Sequence, residues 1–136
     1  MIRKRFIIIA AIVLVLTASL FAACGPFGPP YVPPPEPGDT VGILITAHGK
    51  TVLEFEAGDF ESNLVVDILT EHNDKLLIPQ AQLDSGFITE IAGIFADWNN
   101  GEWWWMFEIN GDFSNFGIRQ ARVQNGDIIS FTLTQG

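Results

Sequence analysis

Trp103-Trp104-Trp105-Met106-Phe107-Glu108-Ile109, closed by Asn110-Gly111, decides how this chain of 136 residues is read. The run is rich in aromatic side chains, which favour strands, and Asn-Gly favours a tight turn. Strand alternation sends Trp103, Trp105, Phe107 and Ile109 to one face and Trp104, Met106, Glu108 and Asn110 to the other. The first set is apolar throughout and is expected to face the core. The second places a Trp and a Met beside a carboxylate and an amide, as in the wall of a site for a flat apolar ligand with polar edges. It reads equally as a sheet face covered by large aromatics. For Trp104 both readings stand.

Similar patterns lie on both sides of this run. Val41, Ile43, Ile45 and Ala47 share one side of a period-two strand, and a hairpin turn is expected at Gly49-Lys50. Leu53 and Phe55 then continue inward while Glu54 and Glu56 face water. Ala57-Gly58-Asp59 breaks the strand. Ser62 is the expected N-cap of a helix whose stripe is Leu64, Val65, Ile68 and Leu69, ending near His72-Asn73-Asp74. Short extended pieces are expected from Leu76 to Pro79 and from Phe87 to Ile91, with turns at Trp98-Asn99-Asn100-Gly101 and Asn125-Gly126-Asp127. Ile129, Phe131 and Leu133 alternate inward along a last strand. Hairpin, one helix and several strands predict an α+β domain over residues 40–136, β-grasp-like, with the helix packed on a small mixed sheet.

Charge narrows the function. All 16 acidic residues lie beyond Cys24, where only Lys50, Lys75, Arg119 and Arg122 are basic. A nucleic-acid binder needs clustered cations to neutralise phosphates, so that class is excluded. One cysteine makes neither an internal disulfide nor a Cys-rich zinc site.

Residues 1–23 read as an export signal. Arg3-Lys4-Arg5 precede the unbroken apolar run Phe6–Leu16, and small residues lead to Ala22-Ala23-Cys24. The stretch Leu20-Phe21-Ala22-Ala23-Cys24 resembles the lipobox of bacterial lipoproteins, although Phe21 stands where Leu, Val or Ile is usual. The resemblance implies that the Cys24 thiol carries a diacylglyceryl group and heads the mature chain, anchoring it to the membrane. Residues 24–39 then form a linker. Seven of the eight prolines fall in residues 26–37, a stretch without the donors for a sheet. It is expected to be a stiff polyproline spacer reaching about 35 Å.

The catalytic inventory is thin. His48 and His72 have no metal-ligand spacing, no Ser sits in a nucleophile elbow, and no glycine-rich phosphate loop is present. Glu54, Glu56, Asp59 and Glu61 lack the pattern of a calcium loop. The expectation is a protein that is not an enzyme and carries no metal.

Trp105-Met106-Phe107-Glu108-Ile109-Asn110-Gly111, then Asn115-Phe116-Gly117, then Val123-Gln124-Asn125-Gly126-Asp127-Ile128 resemble the signature of the transcobalamin-like C-terminal domain family. The Val41 hairpin, the Leu64–Leu69 helix and an Ile91-Ala92-Gly93 strand follow in the order that family shows. The resemblance implies a β-grasp-like fold in an exported, surface-anchored protein. It also implies cobalamin or a related corrinoid as bound ligand, since the vertebrate namesake packs on one side of cobalamin. Ligand contact is then expected from Trp104, Met106, Glu108 and Asn110, with Asn115, Phe116 and Gly117 as rim. The expected activity is capture of a small molecule outside the cytoplasm for handover to an uptake transporter. The alternative is a non-catalytic module that binds another envelope protein through the aromatic face or a free sheet edge.

Overall fold

In the computed structural model, which describes residues 28–136, the alternation after the prolines becomes β1 (Thr40–Ala47), with Val41, Ile43, Ile45 and Ala47 all buried. The export signal and Cys24 lie outside the described residues. β1 pairs antiparallel with β2 (Lys50–Gly58). Lys50 already pairs with Ala47, so the turn is His48-Gly49, one residue earlier than expected, and both residues have positive φ (54° and 74°). Two consecutive left-handed residues match the twist of a tight hairpin.

The single expected helix is three short ones. The first, α1 (Val65–Glu71), buries Val65, Ile68 and Leu69. Ser62 is not its N-cap; Leu64 holds that position and makes no side-chain cap bond. The amides of Val65 and Val66 instead donate to the carbonyls of Ala121 and Ile118, at 3.0 and 2.9 Å. A distant loop thus satisfies the donors that a capping side chain usually takes. The Leu76–Pro79 piece is not extended either. α2 (Asn73–Leu76) ends at Leu77 in the left-handed region, and α3 (Gln80–Ser85) follows. The Asn73 side chain donates to the Ile78 carbonyl at 2.9 Å and accepts from its amide at 2.8 Å, which folds the chain back between the two.

β3 (Glu90–Ile91) and β4 (Ile94–Phe95) form a separate two-stranded ladder. Ala92 and Gly93 are its turn, with φ of 52° and 78°, and not part of a strand. β5 (Trp103–Ile109), β6 (Asp112–Phe113) and β7 (Ile128–Gln135) complete a five-stranded sheet of order β2-β1-β7-β5-β6. Only β1 and β7 run parallel, so the first and last strands share the centre of a mixed sheet. The architecture is α+β. Val41, Ile43 and Ile45 join Ile129, Phe131 and Leu133 in one core with the buried face of α1.

The proline segment does not stand free over its whole length. Asn63, 4 % exposed, donates from Nδ2 to the carbonyls of Val32 and Pro33 at 3.2 and 2.8 Å, and its Oδ1 accepts from Arg122. Prolines leave carbonyls without matching amides, and a buried amide side chain reads those carbonyls well. The free spacer is correspondingly shorter than expected. No helix among the described residues is long and apolar enough to cross a membrane.

Candidate functional site

A groove of about 730 Å³ opens beside β5. Its floor is the face expected to lie wholly in the core: Trp103, Trp105 and Phe107, with Phe131 from β7. Phe107 sits opposite Phe131 in the register, their rings stacked at 5.2 Å between centroids. Trp105 is buried, whereas Trp103 and Phe107 are only half-buried.

Strand pairing explains why. β7 flanks β5 along its full length, but β6 pairs only with Glu108 and Ile109. From Trp103 to Phe107 the outer edge of β5 has no strand beside it. The groove occupies that place and reaches round the edge to Trp104, whose ring meets Phe113 edge-on at 6.4 Å. Side chains from both faces of β5 therefore line one cavity.

Three loops complete the walls. Residues 86–89 follow α3, residues 95–99 begin at the last residue of β4, and residues 113–118 begin at the last residue of β6. Each is fastened locally. Gln82 Oε1 accepts from the amides of Thr89 and Glu90 at 2.8 and 3.0 Å, and the Ala96 amide donates to the Thr89 carbonyl at 2.7 Å. Ser114 Oγ donates to the Phe116 carbonyl at 2.7 Å, and the Ser114 amide donates to the Phe107 carbonyl at 3.1 Å. At one end Gly101 has φ of 104°, and a Cβ there would come within 2.9 Å of Trp103 Nε1, so only glycine lets that indole lie against the turn. On its other side Trp103 is braced by His48, ring edge to ring at 5.1 Å.

Exposure marks the groove as a site. Phe87 is 75 % exposed, Phe113 61 %, Phe95 60 % and Trp98 57 %, and all four line it. Aromatics scattered singly over a surface are ordinary; four converging on one cavity make it the candidate binding surface. The cavity is preformed, since its loops hold their shape through their own hydrogen bonds. The chemistry it offers is shape, π faces and a few polar groups.

Of the residues named from sequence, Trp104, Asn115, Phe116 and Gly117 line the groove. Met106 and Glu108 lie on β5 outside its lining. Asn110 is in the turn after β5 with φ of 54°, and its side chain is occupied structurally. Its Nδ2 donates to Asp127 at 2.9 Å and its Oδ1 accepts from the Ile128 amide at 2.8 Å, clasping the two turns together. Sequence reasoning missed Phe87, Phe95, Trp98 and Phe113. A signal was present, because bulky aromatics beside turn residues are poorly placed for burial. Among the described residues no group of three or more His, Cys, Asp or Glu side chains is placed to hold a metal ion.

A family model described as "Domain of unknown function (DUF4430)" matches residues 63–135, more than half of the chain. The chain belongs to the DUF4430 family. The matched DUF4430 region runs from the start of α1 to β7 and contains every groove residue. No curated protein matches the sequence. Several solved structures are similar, two of them as follows. One, from Ruminococcus gnavus ATCC 29149, is named as a candidate metal-binding protein; it has a TM-score of 0.58 at 22 % identity, covering 72 % of this chain and 98 % of that one. The other is haptocorrin in complex with Cbi, with a TM-score of 0.56 at 16 % identity, covering 71 % of this chain and 25 % of that one. The DUF4430 chain thus spans about a quarter of the length of haptocorrin. At these identities the likeness is one of fold, and the transcobalamin-like resemblance of the turn motifs is met at that level.

Proposed function

We propose that the protein is a non-catalytic ligand-binding module that captures a small molecule in the groove beside β5. One observation carries the reading: four exposed aromatic side chains converge on a single preformed cavity. The ligand implied by the motif resemblance is a corrinoid, and the fold shared with haptocorrin supports it. A flat macrocycle would lie along Trp103, Trp105 and Phe107 with Trp104 and Phe113 at its edge. The setting is the outer face of a bacterial membrane, with the Cys24 thiol lipidated and an uptake transporter as recipient. Two acyl chains anchor firmly where one does not, since each buried methylene adds about 0.8 kcal/mol.

Titrating cyanocobalamin against tryptophan fluorescence tests the ligand. Saturable quenching beyond the absorbance of the corrinoid is expected, and its absence removes the corrinoid. Fatty-acid labelling of cells tests the anchor: label should follow the protein and vanish on Cys24→Ala.

The open edge of β5 favours a second reading. An extended peptide from an envelope partner would add a short strand around Trp105, between the Trp103 amide held by Asp97 and the Phe107 carbonyl held by Ser114. Crosslinking in cells should then capture one partner, and Phe107→Pro should abolish the capture.

A further inference from the structure

The groove's charge pattern narrows the class of ligand, an inference that rests on the groove being a ligand site but not on the corrinoid. Its lining combines the rings of β5 with those of the surrounding loops, and Asp97 is the one charged residue in it. No cation of the described chain lines the groove, although the Arg119 stem packs beside it at Gly86. Lys75 Nζ sits over the Phe55 ring at 4.5 Å, Arg119 Nη1 donates to the Asp84 carbonyl at 2.6 Å, and Arg122 donates to Asn63. Lys50 pairs with Ala47 at the start of β2, with β1 and β7 between it and β5. An anionic ligand would therefore meet π faces and a carboxylate, with no cation in the lining itself. A cation would meet both attractively. The faces of Trp and Phe rings carry negative potential that holds organic ammonium groups. The domain's excess of carboxylates adds a field that draws cations in.

We propose that the groove binds organic ammonium cations, quaternary or aryl-substituted, with the charged head at the Asp97–Trp98 end. That end is built for the purpose. The Trp103 amide donates to the Asp97 carbonyl at 3.3 Å, which brings the start of β5 against Asp97, and Trp98 is the next residue. Asp97 Oδ1 accepts from the Asn99 amide at 3.1 Å, which fixes the carboxylate on its turn. The groove beyond, floored by Trp105, Phe107 and Phe131, has room for an apolar or aromatic tail.

The experiment compares choline with its neutral isostere 3,3-dimethylbutan-1-ol, and adds benzyltrimethylammonium as the aryl member, all followed by tryptophan fluorescence and calorimetry on the exported chain. Choline should bind about ten-fold more tightly than the alcohol, and benzyltrimethylammonium more tightly still. Asp97→Asn keeps the Oδ1 acceptor of its turn and removes only the charge; it should weaken both cations several-fold at low salt and leave the alcohol unchanged. Trp98→Ala should abolish cation binding while unfolding stays cooperative and the affinity for the neutral alcohol changes far less. Equal affinity for choline and the alcohol overturns the inference. So does saturable binding of cyanocobalamin with no binding of either cation, an outcome in which the groove survives as a ligand site. No binding of any of these probes sinks the site and the cation together.

Discussion

β7 and β5 are neighbouring strands with the same alternation and opposite fates. β7 has β1 on one side and β5 on the other, and Ile129, Phe131 and Leu133 disappear into the core. β5 has β7 on one side and, from Trp103 to Phe107, no strand on the other, only loops that reach it at the two ends. Trp105 is buried, but the larger and equally apolar Trp103 and Phe107 on either side of it stay half-buried and wall a groove. The difference teaches that burial here is set by how many strands flank a position, and less by the residue that fills it. The β1–β7 seam holds the molecule together, and the β5 edge carries the groove proposed to take a ligand.

The seam should respond most strongly to truncation. Ile45 is fully buried between β2 and β7. Ile45→Ala is expected to lower stability by about 2–5 kcal/mol, through the apolar surface no longer buried and the cavity left behind. A denaturant midpoint measures it, and a loss under about 1 kcal/mol would mean that the seam is not the core of the fold. Asn110→Ala comes next. It removes the two side-chain bonds that clasp the turn after β5 to the turn before β7. It also places alanine at a positive φ that asparagine tolerates better. A loss of about 1–2 kcal/mol is expected, with Asn110→Gly recovering only the backbone part.

How much of this could be read from the residues follows the same division. Val41, Ile43 and Ile45, the strand Trp103–Ile109 and the inward set Ile129, Phe131 and Leu133 were all legible, because a strand with one face on the core must alternate. What was not legible depends on distant partners. Ser62 is an ordinary capping residue, yet α1 takes its caps from the Ile118 and Ala121 carbonyls, which no local pattern announces. The turn of chain between α2 and α3 depends on one Asn73 side chain meeting Ile78. The groove was half-legible. Alternation divides the three consecutive Trp residues between two faces, and only the shortness of β6 lets Trp104 join Trp103 and Trp105 in one cavity. The extent of pairing is a property of the sheet, not of the strand.

Trp105 sharpens the contrast, since it belongs to both regions. It is 7 % exposed, and its indole Nε1 is buried with no hydrogen-bond partner among the described residues. An unmet buried donor costs about 1–3 kcal/mol, of the same order as the packing energy forfeited when the indole is trimmed to a phenyl ring. Trp105→Phe should therefore change stability by less than about 1 kcal/mol, well below the loss at Ile45. If a bound ligand supplies the missing acceptor, the same variant should bind that ligand more weakly at unchanged stability. A loss above about 2 kcal/mol in the free protein would instead show that Nε1 is satisfied in solution, by water or by a shift of the groove floor.

The smallest effect on stability should come from the groove wall, where the contrast between the strands is most easily broken. Phe87 follows α3 and is 75 % exposed, so Phe87→Ala removes little buried surface and should move stability by no more than about 0.5 kcal/mol. Yet Phe87 lines the cavity that Trp105 and Phe107 floor, and an exposed ring in that position repays its cost only when a ligand covers it. Ligand affinity, read by fluorescence titration, should therefore fall at least several-fold in a variant whose unfolding curve overlays the wild type. A variant that lost stability and kept its affinity would reverse the assignment, making the loop a structural brace and confining ligand contact to β5 itself.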